Sequence, residues 1–363
     1  MSTVFETSGS MLQRTTMFVL LAYTVGNSTP GQIEGYLIDV QEPRSHQDPE
    51  HSSQVHDVAR RPVYVIGHMA NSIAYLDAFL AQGANAIEAD LSFAANGSAT
   101  KFFHGDPCES PLNCSAQEEV VHYLTYVRDT ASAYASKYYG KMLLFIIDVK
   151  TDGAQGNLGS AGASLANNLI DHLWNVEPKD MMNVSISCYF PEDVELIRSA
   201  YDTILRHQLA PVLLDHLGFA VTNGELSVIA NIFHRLGIRR HVWQGFAFQN
   251  ESWKEDNYSR YVRSVTTLRA HPASAENYAD KVYVYTVDRA PPVRLLLRHR
   301  IDGVITNVPP VVLRVLADPG FTECCRLATS DDDPWKRIPC ETPHQPPDHW
   351  PYLQFWNKSR SLV

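Results

Sequence analysis

The chain has 363 residues, 45% of them hydrophobic, and a formal net charge of −10 at pH 7. That content is enough for a sizeable core, in one large domain or two ordinary ones, and excludes a disordered chain. The negative balance excludes nucleic acid, whose phosphates would be repelled, and simple adsorption to anionic lipid, while zwitterionic headgroups remain open as partners.

Residues 1–28 read as an export signal: Arg14, the apolar run 17–25, then the small residues Gly26 and Ser28 suited to cleavage. Glu6 precedes the charged region, so Met11 is an alternative working start. The run is too short to span a bilayer, and a secreted chain without a transmembrane anchor is expected. Seven N-x-S/T sequons, at Asn27, Asn96, Asn113, Asn183, Asn250, Asn257 and Asn357, fit that expectation. Residues 29–61 are polar and lack periodicity, as in a propeptide or flexible lead-in.

From residue 62 onward, short β-rich runs alternate with amphipathic stretches. Residues 63–67 are predicted as a strand, and 72–82 as a helix with Ile73, Leu76, Phe79 and Leu80 on one face and Gly83 at its end. Residues 86–91 form the second strand, 101–103 a short extension leading to His104, and 116–137 a helix. The near-continuous apolar run 143–150 suits a strand buried on both sides of a parallel sheet. The alternation continues with helix 162–174, strand 184–188, helix 192–200, strand 210–214, helix 225–236 and strand 241–244. A helix at 258–270, strand 281–287, helix 292–298, strand 303–307 and helix 310–316 complete it. About eight strand-helix units over roughly 250 residues predict an α/β fold, a single-domain TIM barrel over 62–317. A doubly wound open sheet is the competitor, and no glycine-rich G-x-G-x-x-G turn supports it. Residues 338–363 are an irregular, Pro-rich tail.

Six cysteines in a secreted context suggest bridges rather than metal. Cys108 and Cys114 close a tight loop just after His104. Cys324 or Cys325 could join Cys340, and Cys188 reads as a buried strand thiol.

In a TIM barrel the reactive groups sit at the C-terminal ends of the strands. Glu88 and Asp90, two apart on one strand, share a face. His68, His104, Asp148, Lys150, Tyr285, Asp288 and Asn307 stand at or just beyond other predicted strand ends, so all would converge on one mouth. Glu88, Asp90 and Asp148 make a hard-oxygen site that favours Mg²⁺, with Mn²⁺ or Ca²⁺ also suited, and an anionic phosphate as the partner. A plain salt-bridge network closed by Lys150 is the bland reading of the same acids. Two histidines beside such a site supply the proton transfers that phosphodiester cleavage needs. Lys150 and Asn307 could hold phosphate oxygens, and Tyr283 and Tyr285 could face a cationic headgroup, with cross-strand packing an equal reading for the tyrosines.

The stretches Val65-Ile66-Gly67-His68-Met69, Gly83 to Asp90, Phe103-His104-Gly105, Ile147-Asp148-Val149-Lys150, Tyr285-Thr286-Val287-Asp288 and Ile305-Thr306-Asn307 resemble the sphingomyelinase D (phospholipase D) toxins of spider venoms and tick saliva. The resemblance runs in order over about 62–337. It extends to Ala328-Thr329-Ser330-Asp331-Asp332-Asp333-Pro334-Trp335, similar to the family's motif that plugs the barrel base, so 318–337 is expected to be that plug. It implies one Mg²⁺ at Glu88, Asp90 and Asp148, an acid/base or nucleophilic pair at His68 and His104, and Lys150 and Asn307 beside them. It also implies choline release from sphingomyelin or lysophosphatidylcholine at a host membrane surface, with the substrate's own hydroxyl attacking phosphorus to give a cyclic phosphate. A monomer is expected. Two departures stand out: Tyr285 where the family usually has Trp, and Ser110 where many spider members carry a further cysteine, so that the Cys108 to Cys114 loop alone is expected. The divergent stretch Gln244-Gly245-Phe246-Ala247-Phe248 bears on lipid contact. The rival readings are a glycerophosphodiester phosphodiesterase and a catalytically weak salivary lipid-binding protein.

Overall fold

The computed structural model describes residues 60–105, 114–132, 134–248 and 278–338, all within the compact unit Ser53–Val363. The expected signal segment, most of the lead-in, the helix at 258–270, Cys108, Cys340 and nearly all of the tail lie outside the described residues.

The strands are β1 (Arg61–Gly67), β2 (Ala86–Phe93), β3 (Ala99–Phe102), β4 (Glu118–Glu119), β5 (Leu144–Lys150), β6 (Val184–Cys188), β7 (Leu217–Val221), β8 (Trp243–Ala247), β9 (Lys281–Tyr285), β10 (Gly303–Thr306) and β11 (Cys325–Leu327). Eight of them run parallel in the order β7-β6-β5-β2-β1-β10-β9-β8, and a parallel bridge from Phe219 to Val242 joins the two ends into a barrel. Strands β3 and β4 form an antiparallel flap on β2, and β11 pairs with β1.

The main helices are α1 (Ile73–Ala81), α2 (Val120–Val127), α3 (Leu158–Asn168), α4 (Val194–Leu205), α5 (Ala210–Asp215), α6 (Leu226–Leu236), α7 (Ala290–Arg298), α8 (Pro309–Leu316) and α9 (Pro319–Thr322). Their apolar faces pack on the outward side chains of the strands. Leu76 and Phe79 of α1, for example, join Val63 and Val65 of β1 in one buried cluster. Ser72 caps α1 by accepting a hydrogen bond from the Tyr75 amide at 3.4 Å. Gly67 is required where β1 meets α1, because a Cβ there would stand 2.5 Å from the Phe79 ring.

Two sequence expectations are corrected. Residues 210–214 are not a strand: Pro211 opens the short helix α5, of which only Leu213 is buried, and the strand is the following run Leu217–Val221. The interior glycine of that run, Gly218, lowers its strand signal, yet it is needed there, since a Cβ would stand 2.3 Å from the Trp335 ring. The helix expected over 116–137 is instead β4, α2 and a π-helical turn, Arg128–Ser132. There the Tyr138 amide bonds the Thr130 carbonyl at 2.7 Å, and the Tyr126 and Tyr138 hydroxyls both donate to Asp77 of α1.

Inward side chains fill the barrel in layers. Tyr64, Ile66, Ala86, Ile146, Trp243 and Ile305 form a separate buried cluster, closed from below by Ala328 and Trp335. Trp335 stacks on His241 with ring centroids 5.0 Å apart. The Trp243 indole donates to the Pro334 carbonyl at 3.0 Å, and Asn85 donates to the Ala328 carbonyl at 2.9 Å. Arg326 holds Asp332 through two bonds of 2.6 and 2.8 Å, which fixes the turn of this plug.

Candidate functional site

At the C-terminal ends of the strands a cavity of about 200 Å³ is lined by His68, Glu88, Asp90, His104, Asp148, Lys150, Ser187, Tyr189, Thr222, Tyr283 and Tyr285, over a floor of Ile146 and Ile305. The two-residue period of a strand puts Glu88 and Asp90 of β2 on the inner face, and the parallel register pairs Asp90 with Asp148 of β5. One carboxylate oxygen from each of Glu88, Asp90 and Asp148 falls within 4.8 Å of the others.

Each acid is held by its neighbours. The Met69 amide donates to Glu88 at 2.8 Å. Asn71 clamps Asp90 from both sides, donating its side-chain amide to Oδ2 and accepting the Asp90 backbone N–H, each at 2.7 Å. Lys150 pairs with Asp148 at 2.6 Å and with Asp90 at 2.9 Å. Burial, then the charges of Asp90 and Asp148, pushes the Glu88 carboxyl well above the usual range. Burial acts the same way on Asp90, but Lys150 and Asn71 outweigh it and hold that carboxyl low. Burial likewise disfavours the Lys150 ammonium, and Asp148 and Asp90 reverse the effect and raise it. One lysine thus faces three clustered carboxylates, and the crowding of negative charge drives Glu88 toward its neutral, protonated form. A hard divalent cation fits this all-oxygen set and would relieve that crowding.

His68 follows β1 directly, and its amide bonds the Thr306 carbonyl of β10 at 3.1 Å. Asp288 accepts from the Thr306 hydroxyl at 2.9 Å and from the Asn307 amide N–H and side-chain NH₂, both at 2.7 Å. Asn307 Oδ1 is thereby left to accept from His68 Nδ1 at 2.9 Å. That chain fixes the proton on Nδ1 and leaves Nε2 as an acceptor, 3.4 Å from the Thr286 hydroxyl. Burial lowers the affinity of His68 for a second proton, despite the Asn307 bond and the charges of Asp90 and Asp288. His104 lies beyond β3, where the Phe103 amide bonds the Asp90 carbonyl at 2.7 Å and Gly105 turns the chain at φ 89°. Its Nδ1 is 3.1 Å from the Gly105 carbonyl.

The opposite wall is aromatic. Tyr283 and Tyr285, two apart on β9, have ring centroids 6.1 Å apart. The Tyr285 hydroxyl donates to Thr222 at 3.1 Å, and the Tyr283 hydroxyl lies 3.4 Å from Ser187.

The structure brings together His68, His104, Glu88, Asp90, Asp148, Lys150, Tyr283 and Tyr285 around one cavity, while Asp288 and Asn307 stand behind His68 rather than on the cavity wall. Sequence reasoning missed Asn71, Ser187, Thr222 and Tyr189. Ser187 and Tyr189 flank the end of the correctly predicted strand at 184–188, and Asn71 sits three residues after His68, so position marks them as candidates while their partners depend on the fold. Thr222 was hidden by the misassigned strand at 210–214. Cys114 is disulfide-bonded, its expected partner Cys108 lying outside the described residues. Cys188 is a free, buried strand thiol, and Cys324 and Cys325 are also free.

A barrel whose eight parallel strands aim acids and histidines into one mouth defines a class, and the sequence matches narrow it. The family described as "Dermonecrotic toxin SPH" matches residues 58–335. The chain is 37% identical over 286 residues to "Dermonecrotic toxin SPH" of Ixodes scapularis, covering 78% of each chain. It is 32% identical over 282 residues to "Dermonecrotic toxin StSicTox-betaIB1i" of Sicarius terrosus, covering 77% of this chain and 99% of that one. This protein belongs to that dermonecrotic toxin family. Among solved structures, a glycerophosphodiester phosphodiesterase from Parabacteroides distasonis ATCC 8503 is similar with a TM-score of 0.47 and 16% identity, over 71% of this chain and 98% of that one. No helix among the described residues is long and apolar enough to cross a membrane.

Proposed function

We propose that this protein is a secreted, Mg²⁺-dependent phospholipase D of the sphingomyelinase D type, releasing choline from sphingomyelin and lysophosphatidylcholine at a membrane surface. The observation that carries the reading is the Glu88, Asp90 and Asp148 cluster in one cavity with His68 and His104. Glu88, Asp90 and Asp148 would hold one Mg²⁺, which when bound supplies Lewis-acid stabilisation of negative charge on a phosphoryl oxygen. Lys150, on the same face, orients two of these carboxylates and adds positive charge where the phosphate enters.

His68, neutral through burial and carrying its proton on Nδ1, offers the Nε2 lone pair to the hydroxyl of the substrate. Asp288 acts through Asn307 to keep that tautomer. His104 in its protonated form gives a proton to the departing choline oxygen. The attacking hydroxyl and the phosphorus belong to one molecule, so the product is a cyclic phosphate and no external nucleophile is consumed. Tyr283 and Tyr285 would receive the quaternary ammonium over their ring faces, with Tyr285 held by Thr222.

The test is to incubate the purified protein with sphingomyelin, lysophosphatidylcholine and glycerophosphocholine, with and without Mg²⁺, and to follow products by phosphorus NMR. Cyclic phosphate from the two lipids, dependent on Mg²⁺, is the expected result. Monoester from glycerophosphocholine would point instead to a water-using phosphodiesterase, and lipid binding without turnover to a non-enzymatic carrier.

A further inference from the structure

Large apolar side chains are exposed at the end of the barrel that carries the cavity. Tyr189 and Phe190 follow β6, are 40% and 48% exposed, and pack edge to face with centroids 4.5 Å apart. Tyr189 also lines the cavity, so this aromatic pair is continuous with the mouth. Its backbone is anchored: the Asn223 amide, in the loop after β7, bonds the Tyr189 carbonyl at 2.9 Å. Pro191, next in the chain, packs on Gly224 of that same loop, where a Cβ would stand 2.8 Å from the proline ring. Val228 in the first turn of α6 and Val308 beside Asn307 are 45% and 38% exposed on the same end of the barrel.

Charge selects the occupant. The described loops after β5, β6 and β7 (151–157, 189–193 and 222–225) carry Asp152, Glu192, Asp193 and Glu225 and no lysine or arginine, on a chain of net charge −10. These three loops would repel an anionic leaflet and not a zwitterionic one. Aromatic side chains are favoured at the boundary between headgroups and acyl chains, where a ring can be buried while neighbouring polar groups stay wet. We infer that Tyr189 and Phe190 form an interfacial anchor that seats the mouth of the cavity on a zwitterionic phospholipid surface. This rests on the lipid-cleaving reading above, and deepens it by naming the contact through which a membrane-borne substrate reaches the acids.

The experiment compares the full chain with Phe190→Ser and Phe190→Trp, Phe190 being outside the cavity wall. Binding is read by cosedimentation with diacylphosphatidylcholine vesicles, a lipid that lacks the hydroxyl the proposed reaction uses. Turnover is read on sphingomyelin in vesicles and on short-chain lysophosphatidylcholine below its aggregation threshold. Phe190→Ser should weaken vesicle binding about tenfold, as expected for losing half an aromatic side chain's burial. It should lower the vesicle rate in proportion and leave the rate on the monomeric lipid unchanged, while Phe190→Trp restores both. Equal binding by wild type and Phe190→Ser would overturn the anchor, as would an equal loss of rate on both substrates or wild-type binding only after anionic lipid is added. Should wild type turn over neither lipid, the catalytic reading fails while the cosedimentation comparison still decides the anchor.

Discussion

The two ends of this barrel are built on opposite electrostatic terms. At the base, charges are matched: Arg326 faces Asp332 through two bonds, Arg337 holds Asp280 at 2.9 and 3.0 Å, and Trp335 is packed between Gly218 and His241. At the mouth, three carboxylates crowd within 4.8 Å with Lys150 between two of them, and Glu88 is driven toward its protonated form. Crowded like charge at the mouth is what a bound cation would relieve, whereas at the base each of these charges already has its partner.

The sharpest way to break that contrast is to cut into the mouth. His68→Ala, His104→Ala and Asp148→Ala should each lower turnover of sphingomyelin about 10³-fold while the thermal midpoint stays near that of wild type. Near-normal rates in all three would remove the mouth as the reaction centre. The reciprocal cut is Trp335→Ala, which empties a large buried site at the base. It should cost about 3–5 kcal/mol of stability in a denaturant titration and leave kcat at 25 °C close to wild type.

A smaller effect is expected behind the site. Asp288→Asn removes the acceptor that orients Asn307 and should reduce kcat about tenfold to a hundredfold with little change in KM. The wild-type pH–rate profile sharpens the same point. Burial holds His68 below its ordinary value, so protonation silences it only as pH falls below about 6.5, and the acid limb should lie in that range. An acid limb above pH 7 would argue that another group titrates.

The smallest expected signal is in stability. In chelator, Glu88 has a folded pKa above its unfolded one, so its contribution is fully present at acid pH and is lost as pH rises from the ordinary carboxylate range through the raised value. Thermal midpoints in chelator should therefore fall over that window, and added Mg²⁺ should raise them at neutral pH. No Mg²⁺ response at neutral pH would count against a cation at these acids.

Strand period and strand order could be read directly from residues such as Ala86 to Leu91 and 143–150, where apolar runs are long and end in acids. That was enough to place Glu88, Asp90 and Asp148 at one end of a barrel, because side-chain alternation is a local property of the chain. The misreading at 210–214 has a local cause as well. Val212, Leu213 and Leu214 look like a strand until Pro211 starts a helix, whereas Leu217–Val221 carries a glycine whose reason is the distant Trp335 ring.

By itself the sequence determined the barrel and the acids and histidines at its mouth, since each depends on spacing along a few residues, whereas the segment at the barrel base was expected from a family resemblance and not from spacing. Only the tertiary structure decided that Asn307 and Asp288 stand behind His68 and select its tautomer, that Asn71 locks Asp90, and that Tyr189 and Phe190 rise beside the cavity. Those relations join residues up to 239 positions apart, as in the bond from His68 to Asn307. Hydrogen-bond direction and exposure arise from which loops meet across the barrel, and no local pattern encodes them.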